Sequence, residues 1–243
     1  MESSLYVALS SQNALRRQMD VVANNIANMN TTAFKGENMM FVDHLVRSRG
    51  GERALGGTVS YVRDLASFRD ASEGHEEPTG NPLDLAISGD GYFVVQTPGG
   101  DRYTRNGRFQ RDSTGQIVTQ EGYPVLSDGG QPITVSSTDT KIDIARDGTV
   151  VTETAQLGRL RVVRFQNDQQ MQQLGGSLYA TTQTPEDVQN RRVVQGMLES
   201  SNVHPIVELT RMIELQRTYE GVKNFIEKED ERIKNVIREL VRV

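Results

Sequence analysis

The chain contains no cysteine and no tryptophan. Without thiols it can form no disulfide, and thiolate metal sites are closed to it. Aromatic residues make up 6% and hydrophobic residues 36% of its 243 positions. That is lean for one compact globule, so part of the length is expected to be elongated or buried only on assembly. No run approaches the ~18 consecutive apolar residues of a transmembrane helix. The first turns carry Glu2, Arg16, Arg17 and Asp20, which leaves no apolar signal-peptide core. Direct membrane insertion is therefore not expected. The net charge of −5, without a lysine/arginine run, argues against nucleic acid as a partner.

Reactive constellations are also missing. His44, His75 and His204 lie far apart with no neighbours at ligand spacing. Gly89-Asp90-Gly91 lacks the third glycine of a dinucleotide loop and precedes a strand pattern, not a helix. Asp90, Asp112, Asp128 and Asp147 sit beside or near glycine as turn residues, without the twelve-residue loop of a calcium site. Asn30-Thr31-Thr32 is a formal glycosylation sequon, read here as accidental because no secretory signal accompanies it. No catalytic residue, no cofactor, no metal and no small-molecule substrate is expected.

What is present is concentrated at the two ends. Leu5, Ala8, Gln12, Leu15, Met19, Val22 and Ile26 recur at steps of three and four. Met212, Leu215, Tyr219, Val222, Ile226, Glu229, Ile233, Val236 and Leu240 do the same. That spacing is the apolar seam of a coiled coil. The first helix is expected over residues 3–28, stopped by Asn24, Asn25, Asn28 and Asn30, then Thr31 and Thr32, because asparagine is poor inside a helix and tolerated at its cap. The second is expected from Pro205 to about Val241, with Glu199-Ser200-Ser201-Asn202 supplying its N-cap. Either the seams close on each other as an intramolecular antiparallel pair, or they also meet neighbouring copies. Gln12 and Glu229 on the seams would weaken a closed two-helix pair.

Between the ends, strands and turns alternate. Residues 41–46 read as a short helix or strand, and Val59, Tyr61, Arg63, Leu65 and Phe68 as a strand pair or extended arm, separated by Gly50, Gly51, Gly56 and Gly57. Residues 73–82 and 184–192 read as loops. Strands are expected at 92–95, 102–105, 108–111, 116–119, 123–126, 133–135, 142–144, 149–151, 178–181 and 193–198, with 160–165 the longest. Thr97-Pro98-Gly99-Gly100-Asp101 is a hairpin turn, and Asn106-Gly107 is the strongest hairpin signal in the chain. Arg102, Arg105, Arg108 and Arg111 would then form either a basic stripe for an acidic partner or an ordinary solvated strand face. The fold class is α+β: long N- and C-terminal helices packing as a coiled-coil-like core, with a central antiparallel β-rich domain, sandwich- or barrel-like. The expected division is 1–30 for the N-terminal core helix, 31–82 for an extended arm, 83–198 for the β-rich domain and 199–243 for the C-terminal core helix. Such a chain fits a subunit that stacks into a tube or rod. The alternative is a β-sandwich binding module on a coiled-coil stalk, forming a discrete oligomer.

Three segments carry a more specific signal. They are Val22-Ala23-Asn24-Asn25-Ile26-Ala27-Asn28-Met29-Asn30-Thr31-Thr32-Ala33-Phe34-Lys35; Asp84-Leu85-Ala86-Ile87-Ser88-Gly89-Asp90-Gly91-Tyr92-Phe93-Val94-Val95 with Tyr103-Thr104-Arg105-Asn106-Gly107-Arg108-Phe109; and Gln195-Gly196-Met197-Leu198-Glu199-Ser200-Ser201-Asn202-Val203 running into Met212-Ile213-Glu214-Leu215-Gln216-Arg217-Thr218-Tyr219-Glu220. In this order they resemble the bacterial flagellar rod and hook family, over nearly the whole chain. The start at Leu5-Tyr6-Val7-Ala8-Leu9-Ser10 and the short stretch between Lys35 and Leu83 are similar to proximal rod members; distal ones tend to carry a longer insertion there. Ala33 stands where the family commonly has glycine, which implies a backbone here that need not be left-handed. Past Tyr219 the resemblance is one of character only.

The resemblance implies a structural role. Family members leave the cell unfolded through the flagellar type III export apparatus, without a cleaved signal. They assemble helically with copies of themselves and with other proximal and distal rod subunits, into a drive shaft crossing the periplasm. Terminal helices form the inner tube and the β domain faces outward. The expected assembly residues are Leu5, Leu15, Met19, Val22 and Ile26 on the first helix. Asn24, Asn25, Asn28, Asn30, Thr31, Thr32 and Phe34 follow at its joint, and Ser200 and Asn202 precede the second helix. Met212, Leu215, Gln216, Arg217, Tyr219, Val222 and Ile226 lie on that helix. The joint asparagines are expected to satisfy backbone groups where the first helix meets the arm.

Overall fold

A computed structural model describes residues 2–47 and 58–241; the four glycines of 50–57 lie outside the described residues. The chain divides into two units: residues 1–27, 37–70 and 204–243, and residues 28–36 and 71–203. It passes from one to the other after Ala27, Gly36, Asp70 and Val203.

The first unit holds helices α1 (Glu2–Ala27) and α2 (Pro205–Val241) and strands β1 (Glu37–Arg47) and β2 (Thr58–Arg69). No glycine or proline interrupts α1, and it ends where asparagines begin to offer the backbone other partners. Pro205 opens α2, where its missing N–H is no loss. Glu208 in the first turn and Arg238 in the last suit the helix dipole. The 199–202 segment does not cap α2: the first intrahelical bond runs from the Glu208 N–H to the His204 carbonyl (3.1 Å). Asn202 is used elsewhere, as described below. β1 and β2 pair antiparallel, with a register shift between Met40 and Phe41, and α1 packs on both strands and on α2.

The second unit is β-rich. In chain order it holds β3 (Glu76–Pro78), β4 (Leu85–Ile87), β5 (Tyr92–Thr97), β6 (Gly100–Thr104), β7 (Gln110–Arg111), β8 (Ile117–Val118), β9 (Ile142–Ile144), β10 (Thr149–Thr152), β11 (Gln156–Arg159) and β12 (Val162–Arg164). A 3-10 turn at Asp168–Gln170 precedes β13 (Gln172–Gln173), β14 (Leu178–Ala180), β15 (Glu186–Asp187), β16 (Val193–Gln195) and β17 (Met197–Glu199). The largest sheet has the order β13-β14-β6-β5-β12-β15, antiparallel throughout. β5 is buried on both faces. Phe93 and Val95 join a core with Leu85, Phe109, Ile117, Val125, Ile133, Val150, Leu160 and Val162. Tyr92 and Val94 join Tyr103, Leu126, Val163, Phe165, Met171 and Tyr179 on the opposite side. An unbroken Tyr-Phe-Val-Val run fits a strand covered on both faces.

Several strand expectations need correction. Residues 123–126 and 133–135 form isolated bridges, not strands. Pro124 and Pro132 lack the N–H that a ladder needs. The 160–165 run shortens to β12, because Arg161 bonds to Leu126 and Val94 instead of extending the strand. The longest described strands are β1 and β2. Short β3 and β15 lie in the two segments read as loops.

Asn106-Gly107 is not a hairpin. β6 pairs with β5 and β14, and residues 107–109 run beside 83–85: the Leu85 N–H donates to the Gly107 carbonyl (2.9 Å) and the Phe109 N–H to the Leu83 carbonyl (3.2 Å). A Cβ on Gly107 would lie 1.7 Å from the Leu85 carbonyl oxygen, so glycine is required here for close approach. Gly107→Ala is expected to destabilise the β-rich unit by at least ~2 kcal/mol, since backbone must move to admit the methyl. Urea denaturation monitored by tyrosine fluorescence checks this; an unchanged midpoint would contradict the packing described.

Candidate functional site

Each unit holds its own set of candidate residues. In the first unit, Val22 and Leu215 are buried, and Leu5, Leu15, Met19, Ile26, Met212, Tyr219, Val222 and Ile226 are half-buried. Gln216 and Arg217 are exposed. Asn25, in the last turn of α1, meets Glu208 in the first turn of α2. With α1 packed along α2, the two helices therefore run in opposite directions. Counting back from that contact, α1 covers α2 only to about Glu229 at ~1.5 Å rise per residue in both helices. Every residue from 230 to 240 is exposed.

This leaves apolar surface that the helix pair does not cover. Ile206 is 80% exposed, and Leu209 and Ile213 continue its row on α2. Ile233, Val236, Ile237 and Leu240 form another exposed row beyond the reach of α1, and Tyr6 and Leu9 are exposed on α1. The 206-209-213 row was not singled out from the sequence, although its spacing is also three and four. The stronger 212-215-219 series beside it drew the seam.

Asn25 is the polar centre of this unit and is 2% exposed. Its Oδ1 accepts from the Glu37 N–H (2.9 Å), and its Nδ2 donates to the Glu37 carbonyl (2.8 Å) and to Glu208 Oε2 (3.2 Å). The side chain thus serves both backbone groups of Glu37, as a strand partner would. Arg211 Nη1 in turn donates to Glu208 Oε1 (3.1 Å) and Asn38 Oδ1 (3.0 Å). These bonds tie α1, β1 and α2 together within the first unit.

Within the second unit, Asn28 holds a turn: its carbonyl accepts from the Thr31 N–H (3.0 Å) and its Oδ1 from Thr31 Oγ1 (3.1 Å). Asn30 is exposed, as is Asn24 on α1; Thr32 is half-buried and Phe34 buried. Ala33 has φ +56°, in the left-handed region. The expectation for this residue is corrected: the position does adopt the conformation that glycine favours. Its N–H donates to the Glu199 carbonyl (2.7 Å), which fixes the backbone there. Ala33→Gly relieves ~1–2 kcal/mol of αL strain, offset by a buried methyl of ~0.8 kcal/mol and a looser unfolded chain. Its stability is expected to change by under ~0.5 kcal/mol, whereas Ala33→Val is expected to cost more than ~2 kcal/mol because a β-branched residue disfavours positive φ. Thermal denaturation of both variants tests the pair.

A buried ionic cluster lies beside Ala33. Lys35, Arg105 and Glu199 are 3%, 6% and 3% exposed. Glu199 Oε1 accepts from Lys35 Nζ (2.5 Å) and the Gly74 N–H (3.0 Å), and its Oε2 from Arg105 Nε (2.8 Å). Lys35 Nζ also donates to the Ser72 carbonyl (2.6 Å). The Arg105 guanidinium donates to the carbonyls of Gly89, Gly91 and Ile87. Burial alone would push the Glu199 carboxyl up, but Arg105 and Lys35 together outweigh it and hold the group below its ordinary range. Next to this cluster, Asn202 Oδ1 accepts from the Gly36 N–H (2.8 Å), and its Nδ2 donates to the Ser72 carbonyl (3.1 Å) and Oγ (3.2 Å). Ser200 is half-buried, and its N–H donates to the His75 carbonyl (2.8 Å).

No periodicity marks Lys35, Arg105 or Glu199 as partners, and none was an expected site residue. The arginine row is not one stripe: Arg105 is buried in this cluster, Arg102 is half-buried, and Arg108 and Arg111 are exposed. Among the described residues, no group of histidine and acidic side chains is placed to hold a metal ion. No helix there is long and apolar enough to cross a membrane.

Residues 5–35 match the family described as flagella basal body rod protein, 86–152 the flagellar hook protein FlgE/F/G D1 domain, and 194–239 the flagellar basal body rod FlgEFG protein C-terminal. The chain is 41% identical over 249 residues to the flagellar basal-body rod protein FlgF of Caulobacter vibrioides, with 100% of both chains covered. The chain belongs to the flagellar basal-body rod protein family. It is also 36% identical over 224 residues to FlgF of Mesorhizobium japonicum, covering 91% of this chain and 90% of that one. Over 264 residues it is 33% identical to the flagellar basal-body rod protein FlgG of Bacillus subtilis, covering 99% and 98%. Each family match contributes one member of the ionic cluster: Lys35, Arg105 and Glu199 in turn.

Proposed function

We propose that this chain is a structural subunit of the proximal rod of the bacterial flagellar basal body, serving swimming motility as part of the drive shaft, and that it is not an enzyme. In this reading it assembles helically with copies of itself and other rod subunits through its terminal helices. The observation that carries the assembly role is the uncovered apolar surface of the helix pair, above all Ile206, Leu209 and Ile213. Contiguous exposed apolar rows on a soluble chain mark surfaces completed by another protein.

Residues 1–30 and 199–243 would form a coiled-coil-like inner core, 31–82 an arm, and 83–198 an outward antiparallel domain of sandwich or barrel type. The expected assembly residues on α1 and α2 would then lie between helices of this chain and its neighbours. Passage through the flagellar type III export apparatus without a cleaved signal, and a final place in the rod crossing the periplasm, belong to the same reading. It requires no cofactor, nucleic acid, small-molecule substrate or membrane insertion. The proximal rather than distal position in this reading rests on the short stretch between Lys35 and Leu83, where distal members tend to carry a longer insertion.

The triple variant Ile206→Asp, Leu209→Asp, Ile213→Asp tests this. These positions are exposed, so the purified chain should keep its stability within ~0.5 kcal/mol per site. Cells carrying it in place of the wild type should assemble no shaft and fail to swim. Normal swimming with normal basal bodies would refute the proposed role of this surface.

A further inference from the structure

The second unit gathers three segments of chain that border its exits: residues 33–36, 72–75 and 199–202. They are joined by bonds that all converge on two side chains and their neighbours. The Ala33 N–H donates to the Glu199 carbonyl, the Asn202 N–H to the Phe34 carbonyl, and the Ser200 N–H to the His75 carbonyl. The Gly36 N–H donates to Asn202 Oδ1 and the Gly74 N–H to Glu199 Oε1. The Glu199 carboxylate bonds to two buried cations at once, Lys35 and Arg105. Glu199 pairs with Glu76 in the β3–β17 ladder, and the Ser200 N–H to His75 carbonyl bond extends that register by one residue; residues 33–36 belong to no ladder and are held to the other two segments by the bonds above.

We propose that these three segments form a latch that opens and closes as one cooperative step, and that the Glu199 carboxylate is the switch that keeps it closed. The argument is one of charge. Removing or protonating the carboxylate leaves two cations buried together, and each is far costlier unpaired than paired. The least disruptive escape is for Lys35, on residues 33–36, to swing into water. That movement pulls away the Ala33, Phe34 and Gly36 bonds with it. Arg105 does not share this freedom, because three carbonyls of residues 87–91 hold it. The latch therefore opens on the side of the exits and leaves the β body closed. The groups facing Glu199 are Lys35 and Arg105, with Glu73 acting on Lys35. The inference rests on the fold alone and stands apart from the rod reading.

Hydrogen exchange on the full chain tests it. In Glu199→Gln, the amides of Ala33, Gly36, Gly74, Ser200 and Asn202 should exchange at least ~10-fold faster and to a common rate, as one opening unit does. The amides of Val125 and Ile133, in the body core, should be unchanged. Wild-type chain taken below pH 4.5, the ordinary value for this carboxyl, should move the same way once the intrinsic pH effect on exchange is removed. Asn202→Ala keeps the ionic cluster and guards against a misfolded first variant. It should loosen not only Gly36 but also Ala33 and Gly74. Acceleration confined to the amides that lost a direct bond would overturn the proposal, as would opening of Val125 and Ile133 at the same rate.

Discussion

Glu199→Ala is expected to destabilise the β-rich unit by about 3–5 kcal/mol, because it leaves Lys35 and Arg105 buried without their counterion. Glu199→Gln, which keeps the shape and one acceptor, should lose less. Tyr92, Tyr103 and Tyr179 are packed in this unit, and the chain has no tryptophan to mask them. Tyrosine fluorescence in urea therefore reports the transition. The same carboxylate fixes the sign of the pH response. Its folded-state value lies below its ordinary 4.5. Its contribution is therefore fully present above pH 4.5 and is lost as the pH falls through the lower folded value. Asp128 acts in the same direction: burial would raise its carboxyl, but Arg191 and Arg159 outweigh that and lower it. Stability should thus fall on acidification below pH 4.5 with a slope that is shallower in Glu199→Gln, though not zero. An identical slope in wild type and variant would show that Glu199 does not titrate with folding.

Asn25→Leu should have the next largest effect, on the helical unit. Leucine removes three bonds and strands the Glu37 N–H and carbonyl, and a donor to Glu208 is lost with them. Buried unsatisfied polar groups cost about 1–3 kcal/mol each, so a total loss of ~3 kcal/mol or more is expected, read as reduced helicity on mild heating. The β-rich unit should keep its tyrosine signal. Asn30→Leu, at an exposed position, is expected to be near neutral. Asn28→Leu should fall between, since it loses the Thr31 Oγ1 bond. In cells the order of swimming defects should follow the same ranking. Equal defects for Asn25 and Asn30 would contradict the account of the joint.

The helices were legible because their signals are local. Residues 3–28 and 205–241 were expected from apolar spacing, the asparagine stop and Pro205; the observed spans are Glu2–Ala27 and Pro205–Val241. The Pro98-Gly99 turn between β5 and β6 was legible for the same reason. Failures came where a distant backbone decides. Asn106-Gly107 has the composition of a hairpin, but Gly107 is there to let Leu85 approach. Arg105 looked like one of four surface arginines, and only the arrival of Glu199, 94 residues later, makes it an interior group. Ala33 is left-handed because Glu199 and Asn202 grip the residues around it, which no window around position 33 contains. The family resemblance came through because its segments are long enough to carry such non-local constraints without stating them.

The central claim is that the apolar rows left open on α1 and α2 are completed by neighbouring subunits in a flagellar shaft. An electron-microscopy reconstruction of basal bodies purified from the source cell tests it most directly. The account predicts density for this chain in the rod, with Ile206, Leu209 and Ile213 covered by helices of adjacent subunits. Intact rods without this chain, or with it present and that row facing solvent, would contradict it.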